Sequence, residues 1–245
     1  MDNSLFQVII LAAGVGSRLG DLTARRSKAL LDLGGVSLLE RAIEFAARLG
    51  AHDIIIVGGY RIDQLRAAVA ALRRPRIRLV ENANYEAGNL LSVQAALPSV
   101  HGSFCLTNVD HVFSAAAARR VLSAIDDDIT AFCEFERRLE PDEMKVVVDA
   151  DGNLRRIAKG LGVFDGGYSG LTYVPRGHLG GYRAAVEQTG ALKGDAAVAE
   201  QALQTLADTG ARIRAASLDG VEWCEIDTPL DFRRAQEFVA AGAIR

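Results

Sequence analysis

The residues best suited to chemistry are two cations, Arg18 and Lys28, and three carboxylates, Asp110, Glu225 and Asp227. The cations follow a small-residue turn in LAAGVGSRLGDLTARRSK, residues 11–28, where the apolar run Val8 to Leu11 feeds Ala12, Ala13, Gly14 and Gly16. A β-favouring run that ends in glycines lets the backbone take φ > 0 and point its N–H groups at an anion. An ordinary strand-to-helix turn would explain the glycines alone. Arg18 and Lys28 make the stretch read as a phosphate cradle.

Two familiar glycine motifs do not fit. A P-loop needs Gly-Lys-Ser/Thr after a four-residue gap, but Leu19 and Asp21 stand there. The dinucleotide fingerprint needs a third glycine where Leu19 stands, and the second predicted strand ends in Gly58, Gly59 and Tyr60 with no acid for a ribose. A nicotinamide cofactor is not expected.

The carboxylates fall in two places. FCLTNVDHVFS, residues 104–114, reads as an apolar strand whose end carries Asp110, at the rim where the first loop opens. In WCEIDTP, residues 223–229, Glu225 and Asp227 are two apart and share a side of an extended segment. Magnesium takes a few carboxylates together with phosphate oxygens and water, which this set can supply. Two plainer readings stand beside it. Asp-Thr-Pro is good capping chemistry for a helix over 230–240, and Asp110 alone could be a solvated strand-end acid.

These residues need a scaffold. A chain of 245 residues can bury one substantial core, so residues 1–245 are read as a single domain. Strands are predicted over 6–11, 53–58, 76–80, 103–108, 129–135, 144–149, 168–174 and 212–217. Helices are predicted over 38–49, 62–72, 90–97, 115–125, 179–188, 196–207 and 230–240. Alternation of this kind gives an α/β fold around a mostly parallel sheet. Between about 129 and 175 strand-like runs follow one another, which predicts a β-rich portion packed beside the half that carries the phosphate cradle. Ligands of open α/β sheets bind beyond strand C-termini, so the loops after Leu11, Val80, Thr107 and Val174 are expected to border one cleft.

The net charge of −3 gives no general attraction to nucleic acid or to an anionic membrane. The N-terminal apolar run is too short to span a bilayer, so the expectation is a soluble cytoplasmic protein without membrane insertion. Self-association is left open. Cys105, Cys133 and Cys224 are far apart and odd in number, hence reduced core thiols, and His52, His101, His111 and His178 are scattered.

LAAGVGSRLG, then Lys28 with LLDLGGVSLLERAI, then VDHVFS, then WCEIDTPLDFRRA together resemble the nucleotidyltransferases that make activated sugars and alcohols. The resemblance covers almost the whole chain and implies a three-layer Rossmann-like nucleotidyltransferase fold with a mixed sheet. EMKVVVDADGNLRRIAKGL and GYSGLTYVP are most similar to CTP:inositol-1-phosphate cytidylyltransferases, with bacterial-type phosphocholine cytidylyltransferases next. It implies that Leu11, Ala12, Ala13 and Gly14 border the nucleotide. Gly16, Ser17 and Arg18 would hold its triphosphate, and Lys28 would bridge phosphates at the reacting centre. Asn89 and Ser92 match a base-contacting segment, although Asn89 could equally cap the helix that follows it. Asp110 and Asp227 would be the metal pair with Glu225 a third carboxylate, Mg2+ the cofactor, and CTP and a small phosphorylated alcohol the substrates. Lys145 or Lys159 would contact the acceptor phosphate, or be a plain surface lysine.

The acceptor is left open between inositol 1-phosphate, phosphocholine and an aminoalkylphosphonate. A choline cage could draw on Phe113, Phe135, Phe164, Tyr168, Tyr173 and Trp223. An inositol could draw on His111, Asp165, Tyr168 and Ser169. Nucleotidyltransferases using another base, for sugar phosphates or a molybdenum cofactor, and an inactive nucleotide-binding regulator are the alternatives.

Overall fold

A computed structural model of the protein describes residues 6–74, 76–242 and 244. Its strands are β1 (Gln7–Ala12), β2 (Asp53–Gly58), β3 (Ile77–Glu81), β4 (Phe104–Asn108), β5 (His111–Phe113), β6 (Ile129–Glu134), β7 (Lys145–Val148), β8 (Leu154–Ala158), β9 (Gly166–Val174), β10 (Ile213–Ser217) and β11 (Trp223–Glu225). Its helices are α1 (Leu38–Arg48), α2 (Ile62–Ala71), α3 (Leu90–Ala96), α4 (Ala115–Ala124), α5 (Leu179–Lys193), α6 (Ala199–Asp208) and α7 (Pro229–Ala240).

The main sheet runs β10-β6-β9-β4-β1-β2-β3, with the β7–β8 hairpin attached to β9. Along that path β9 alone is antiparallel to its neighbours. Alternation along β1 explains the three layers. Val8, Ile10 and Ala12 face one core with α1, α4 and α7, while Ile9 and Leu11 face a second core with α3, α5 and α6. A sheet covered on both faces is apolar at nearly every position, as DIIIVG in β2 shows.

The structure departs from the sequence-based expectations at identifiable places. The stretch 129–175 supplies β6 to β9, two of which lie inside the main sheet. Because β9 is antiparallel, with Phe104 opposite Val174, the loop after Val174 leaves at the end of the sheet opposite the cleft. The start of β9, near Gly166 to Gly170, lies at the cleft end instead. β8 escaped detection because Arg155 and Arg156 face solvent and only Leu154 and Ile157 of its core are buried. β5 and β11 are three residues each and stabilise one another as a separate ribbon. α5 continues past Gln188 because Thr189 packs against α6, its hydroxyl 2.7 Å from that of Thr205.

Among the described residues no helix is long and apolar enough to cross a membrane. All three cysteines are free thiols, and burial raises the pKa of each.

Candidate functional site

Residues 13–27 connect β1 to the turn that Lys28 opens, and include a short 3-10 stretch at Ser17–Leu22. Gly16 sits in the left-handed region at φ 68°, and a Cβ there would lie 3.2 Å from the Lys28 Cβ. The glycine therefore serves two needs: it turns the chain, and it lets the aliphatic stem of Lys28 pass beneath. Thr23 Oγ1 donates to Gly16 O at 2.8 Å and closes this arrangement. The following segment is pinned from α2. Gln64 accepts from Ser27 N at 2.9 Å and donates to Arg25 O at 3.0 Å, while Arg61 donates to Ala24 O at 2.7 Å. Lys28 opens the next short turn with its direction already set.

The Lys28 ammonium ends between two carboxylates, 2.5 Å from Asp110 Oδ2 and 2.6 Å from Asp227 Oδ1. Its side chain is 8% exposed, so this is a largely buried ion triad. Burial lowers the lysine pKa, but Asp110 and Asp227 more than offset that, and the net direction is upward. Asp227 is pulled the opposite way: burial raises it, and Lys28, Arg18 and Glu225 bring it below the ordinary carboxylate range. Arg18 splits its fork between Asp227 Oδ2 at 2.5 Å and Asp142 Oδ2 at 3.2 Å. Asp142 is a partner that sequence reasoning missed, because nothing in residues 135–144 marks one acid as facing a cation 124 positions away.

The β5–β11 ribbon explains why the acids meet. Glu225 pairs with His111 across it, and Ile226 N donates to Asp110 O at 3.0 Å. Asp110, Glu225 and Asp227 each offer an oxygen within 4.8 Å of the others. Thr228 caps α7, its hydroxyl accepting from Asp231 N, with Asp231 returning the bond to Thr228 N at 2.8 Å. Capping thus falls to Thr228 and Asp231, and the Asp227 carboxylate is left for Lys28 and Arg18. Asp110 Oδ1 is buried and has no hydrogen-bond partner. An orphaned hard oxygen beside two more carboxylates is donor chemistry that suits a divalent cation of the magnesium class. Beneath them lies His111. Burial alone would lower its pKa, but Glu225, Asp110 and the Ser169 carbonyl push it up to about 9.

The remaining predicted residues separate into two groups. Leu11, Ala12 and Ala13 are buried at the end of β1, and Gly14, Ser17 and Arg18 are exposed on the loop above them. Asn89 Oδ1 accepts from Ala199 N at 2.8 Å, so it caps α6 rather than its own helix. Ser92 is 2% exposed and its Oγ accepts from Asn82 Nδ2, which places it behind the surface. Among the acceptor-side residues, Ser169 Oγ donates to Phe132 O, the Tyr168 and Thr172 hydroxyls bond each other, and Asp165 accepts from Val148 N. Phe113 and Tyr173 are core residues, and Phe113 stacks on Phe45 and Trp223.

Lys145 departs furthest from the expectation of a surface or phosphate-facing lysine. It is 6% exposed, and its ammonium lies 2.8–3.2 Å from the carbonyls of Glu140, Pro141, Glu143 and Lys159. Four carbonyls exceed the three N–H groups of an ammonium, leaving none for a ligand. Lys159 itself is exposed and free to reach one. Lys145 therefore staples the loop 140–143, which carries Asp142, to the turn after β8. Lys145→Met is expected to destabilise the protein by about 2–3 kcal/mol, the scale of lost bonds to a charged group, and to make this loop protease-sensitive. Thermal melting and limited proteolysis measure both. An unchanged melting temperature with a raised acceptor KM would return Lys145 to the acceptor site.

The model of the MobA-like NTP transferase domain matches residues 8–145, more than half of the chain. The chain belongs to this family. Its α/β fold, with a mostly parallel sheet, is that of a Rossmann-like nucleotidyltransferase domain. The bifunctional IPC transferase and DIPP synthase of Rubrobacter xylanophilus is 30% identical over 235 residues, covering 96% of this chain and 52% of that protein. The 2-aminoethylphosphonate cytidylyltransferase of Lancefieldella rimae is 30% identical over 162 residues, 62% of this chain and 60% of the relative. The solved inositol-1-phosphate CTP transferase from T. maritima superposes with a TM-score of 0.81 at 21% identity, covering 99% of this chain and 98% of that one. The chain spans about half the length of the bifunctional relatives it matches.

Proposed function

We propose that the protein transfers CMP from CTP to a small phosphorylated alcohol, inositol 1-phosphate first among them, releasing pyrophosphate and forming a CDP-alcohol. The observation that carries the transfer chemistry is the Lys28 ammonium seated at 2.5 and 2.6 Å between Asp110 and Asp227, beneath the glycine loop and beside Arg18. The choice of CTP and of the alcohol is supported by relatives named for IPC transfer and for aminoethylphosphonate cytidylyl transfer.

The acceptor needs no protein nucleophile. A phosphomonoester has a second pKa of about 6, so near neutral pH it is largely a dianion. One of its oxygens attacks the α-phosphorus of CTP, the bond from that phosphorus to the bridging oxygen breaks, and the electron pair leaves with pyrophosphate. What the protein must supply is alignment of two polyanions and neutralisation of developing charge. Arg18 and Lys28 are the cations placed for that, and both are held by carboxylates until phosphates arrive. The loop amides from Gly14 to Ser17 would border the triphosphate, and Asn89 would turn its amide toward the base. Asp110 and Asp227, with Glu225 beside them, would hold Mg2+, which when bound supplies positive charge to the phosphate oxygens.

The test is pyrophosphate release over CTP, UTP, GTP and ATP, each against inositol 1-phosphate, phosphocholine, glycerol phosphate, aminoethylphosphonate and a hexose phosphate. CTP with inositol 1-phosphate is expected to be fastest. A faster rate with another nucleotide would overturn the base assignment. CTP binding with no release across the panel would favour a regulator.

A further inference from the structure

His111 belongs to no step of the reaction above, yet it is held more tightly than core packing requires. It follows Asp110 directly and lies opposite Glu225 in the β5–β11 register. Its side chain is 6% exposed. Nδ1 is 2.8 Å from Ser169 O, and a carbonyl can only accept, so Nδ1 carries a proton and the ring orientation is fixed. Nε2 then lies 3.5 Å from Glu225 Oε1 and 3.8 Å from Asp110 Oδ1.

Room for the ring is made by the neighbouring strand. Gly170 interrupts β9 at φ 71°, and a Cβ there would fall 1.9 Å from the His111 Cε1. No side chain fits, so glycine is required twice over, by conformation and by contact. On the other side the imidazole packs against Trp223, ring centroids 5.7 Å apart. The histidine is thus fixed by β9, an element that carries none of the three acids, and presents one nitrogen to two of them. A phenyl ring would keep the aromatic contact with Trp223. What it could not do is face Glu225 with a polar nitrogen.

We infer that His111 is a positioning residue for the metal site, its Nε2 orienting Glu225 toward a divalent cation shared with Asp110. This rests on the reading of the acid cluster as that site. Groups that orient metal ligands from behind are worth 10–100-fold in metal affinity.

The experiment is Mn2+ binding to the full chain with CTP and without acceptor, followed by water-proton relaxation, which reports protein-bound Mn2+. His111→Phe, which keeps an aromatic ring against Trp223, is expected to weaken binding by about 10–100-fold. His111→Gln, which can place an amide where Nε2 stands, should recover part of it. In turnover, the Mg2+ concentration giving half-maximal rate should rise in His111→Phe, with the rate largely recovered in excess Mg2+. Should His111→Phe fail to fold, His111→Asn decides, since it can keep the bond to Ser169 O and lacks an atom at Nε2. Equal Mn2+ affinity in wild type and the deciding variant would overturn the role of His111 and leave the acid site standing. No bound Mn2+ in the wild type would overturn the acid site itself.

Discussion

Asp110→Asn should lower kcat/KM by about three orders of magnitude while leaving the fold in place. The substitution is nearly isosteric and removes one negative charge from the point where Lys28 and the orphaned Oδ1 meet. Charge stabilisation of a transferring phosphoryl group by a bound cation is worth several kcal/mol, and each tenfold in rate is about 1.4 kcal/mol. The fold should tolerate the change because Lys28 keeps Asp227 at 2.6 Å and the β5–β11 ribbon is held through the Asp110 carbonyl, which Asn retains. Asp227→Asn is expected to match it in rate and to release Arg18 from one of its two acids. Steady-state pyrophosphate release and a melting curve measure the two halves. Wild-type rates in either variant would remove the carboxylates from the reaction.

Lys28→Met separates the two roles of the lysine. In the ligand-free protein its charge balances Asp110 and Asp227, and without it three carboxylates face each other within 4.8 Å. Removing one partner of a buried ion pair costs about 3–5 kcal/mol, and at this chain length each kcal/mol is roughly 2–4 °C of melting temperature. The pH dependence follows from the shifts. Asp227 is held below its unfolded pKa, so its contribution is present above about pH 4 and is lost as pH falls through the folded value. Lys28 is raised, so its contribution is complete at neutral pH and is lost only in strongly alkaline solution. The melting gap between wild type and variant should therefore be widest near neutrality and close toward acid. Mg2+ should raise the melting temperature of Lys28→Met more than that of wild type, because the ion meets no competing ammonium. Turnover should stay severely depressed at any Mg2+ concentration. A variant that melts like wild type at pH 7 and gains nothing from Mg2+ would contradict the shared-carboxylate account.

Which parts of this site could be read from the sequence follows from the range of the interactions. Val8 to Leu11 and the glycines after it are a local pattern, legible because strand and turn preferences act over a few residues. The same holds for Asp110 at a strand end and for Glu225 and Asp227 two residues apart. The seat of Lys28 was not legible, since its partners are 82 and 199 positions away. Asp142 and Lys145 show the same limit from opposite sides. One is an unremarkable loop acid that meets Arg18, and the other is a lysine whose ring of carbonyls exists only after the chain has folded around it. The antiparallel insertion of β9 reversed the expected direction of the Val174 loop, because strand order is set by packing and not by the apolar run itself. The sequence offered His111 only as one of four scattered histidines and a candidate inositol contact, and it is the register of β5 and β11 that puts it opposite Glu225.

The most direct test of the proposed transfer follows the α-phosphate. The protein is incubated with Mg2+, inositol 1-phosphate and CTP labelled at either the α- or the γ-phosphorus, and the products are separated. The account predicts that α-label appears in a CDP-alcohol and γ-label in pyrophosphate, in equal amounts, and that Asp110→Asn forms both about a thousandfold more slowly. Transfer of γ-label to the alcohol, or α-label remaining wholly in free nucleotide across the whole acceptor panel, would contradict it.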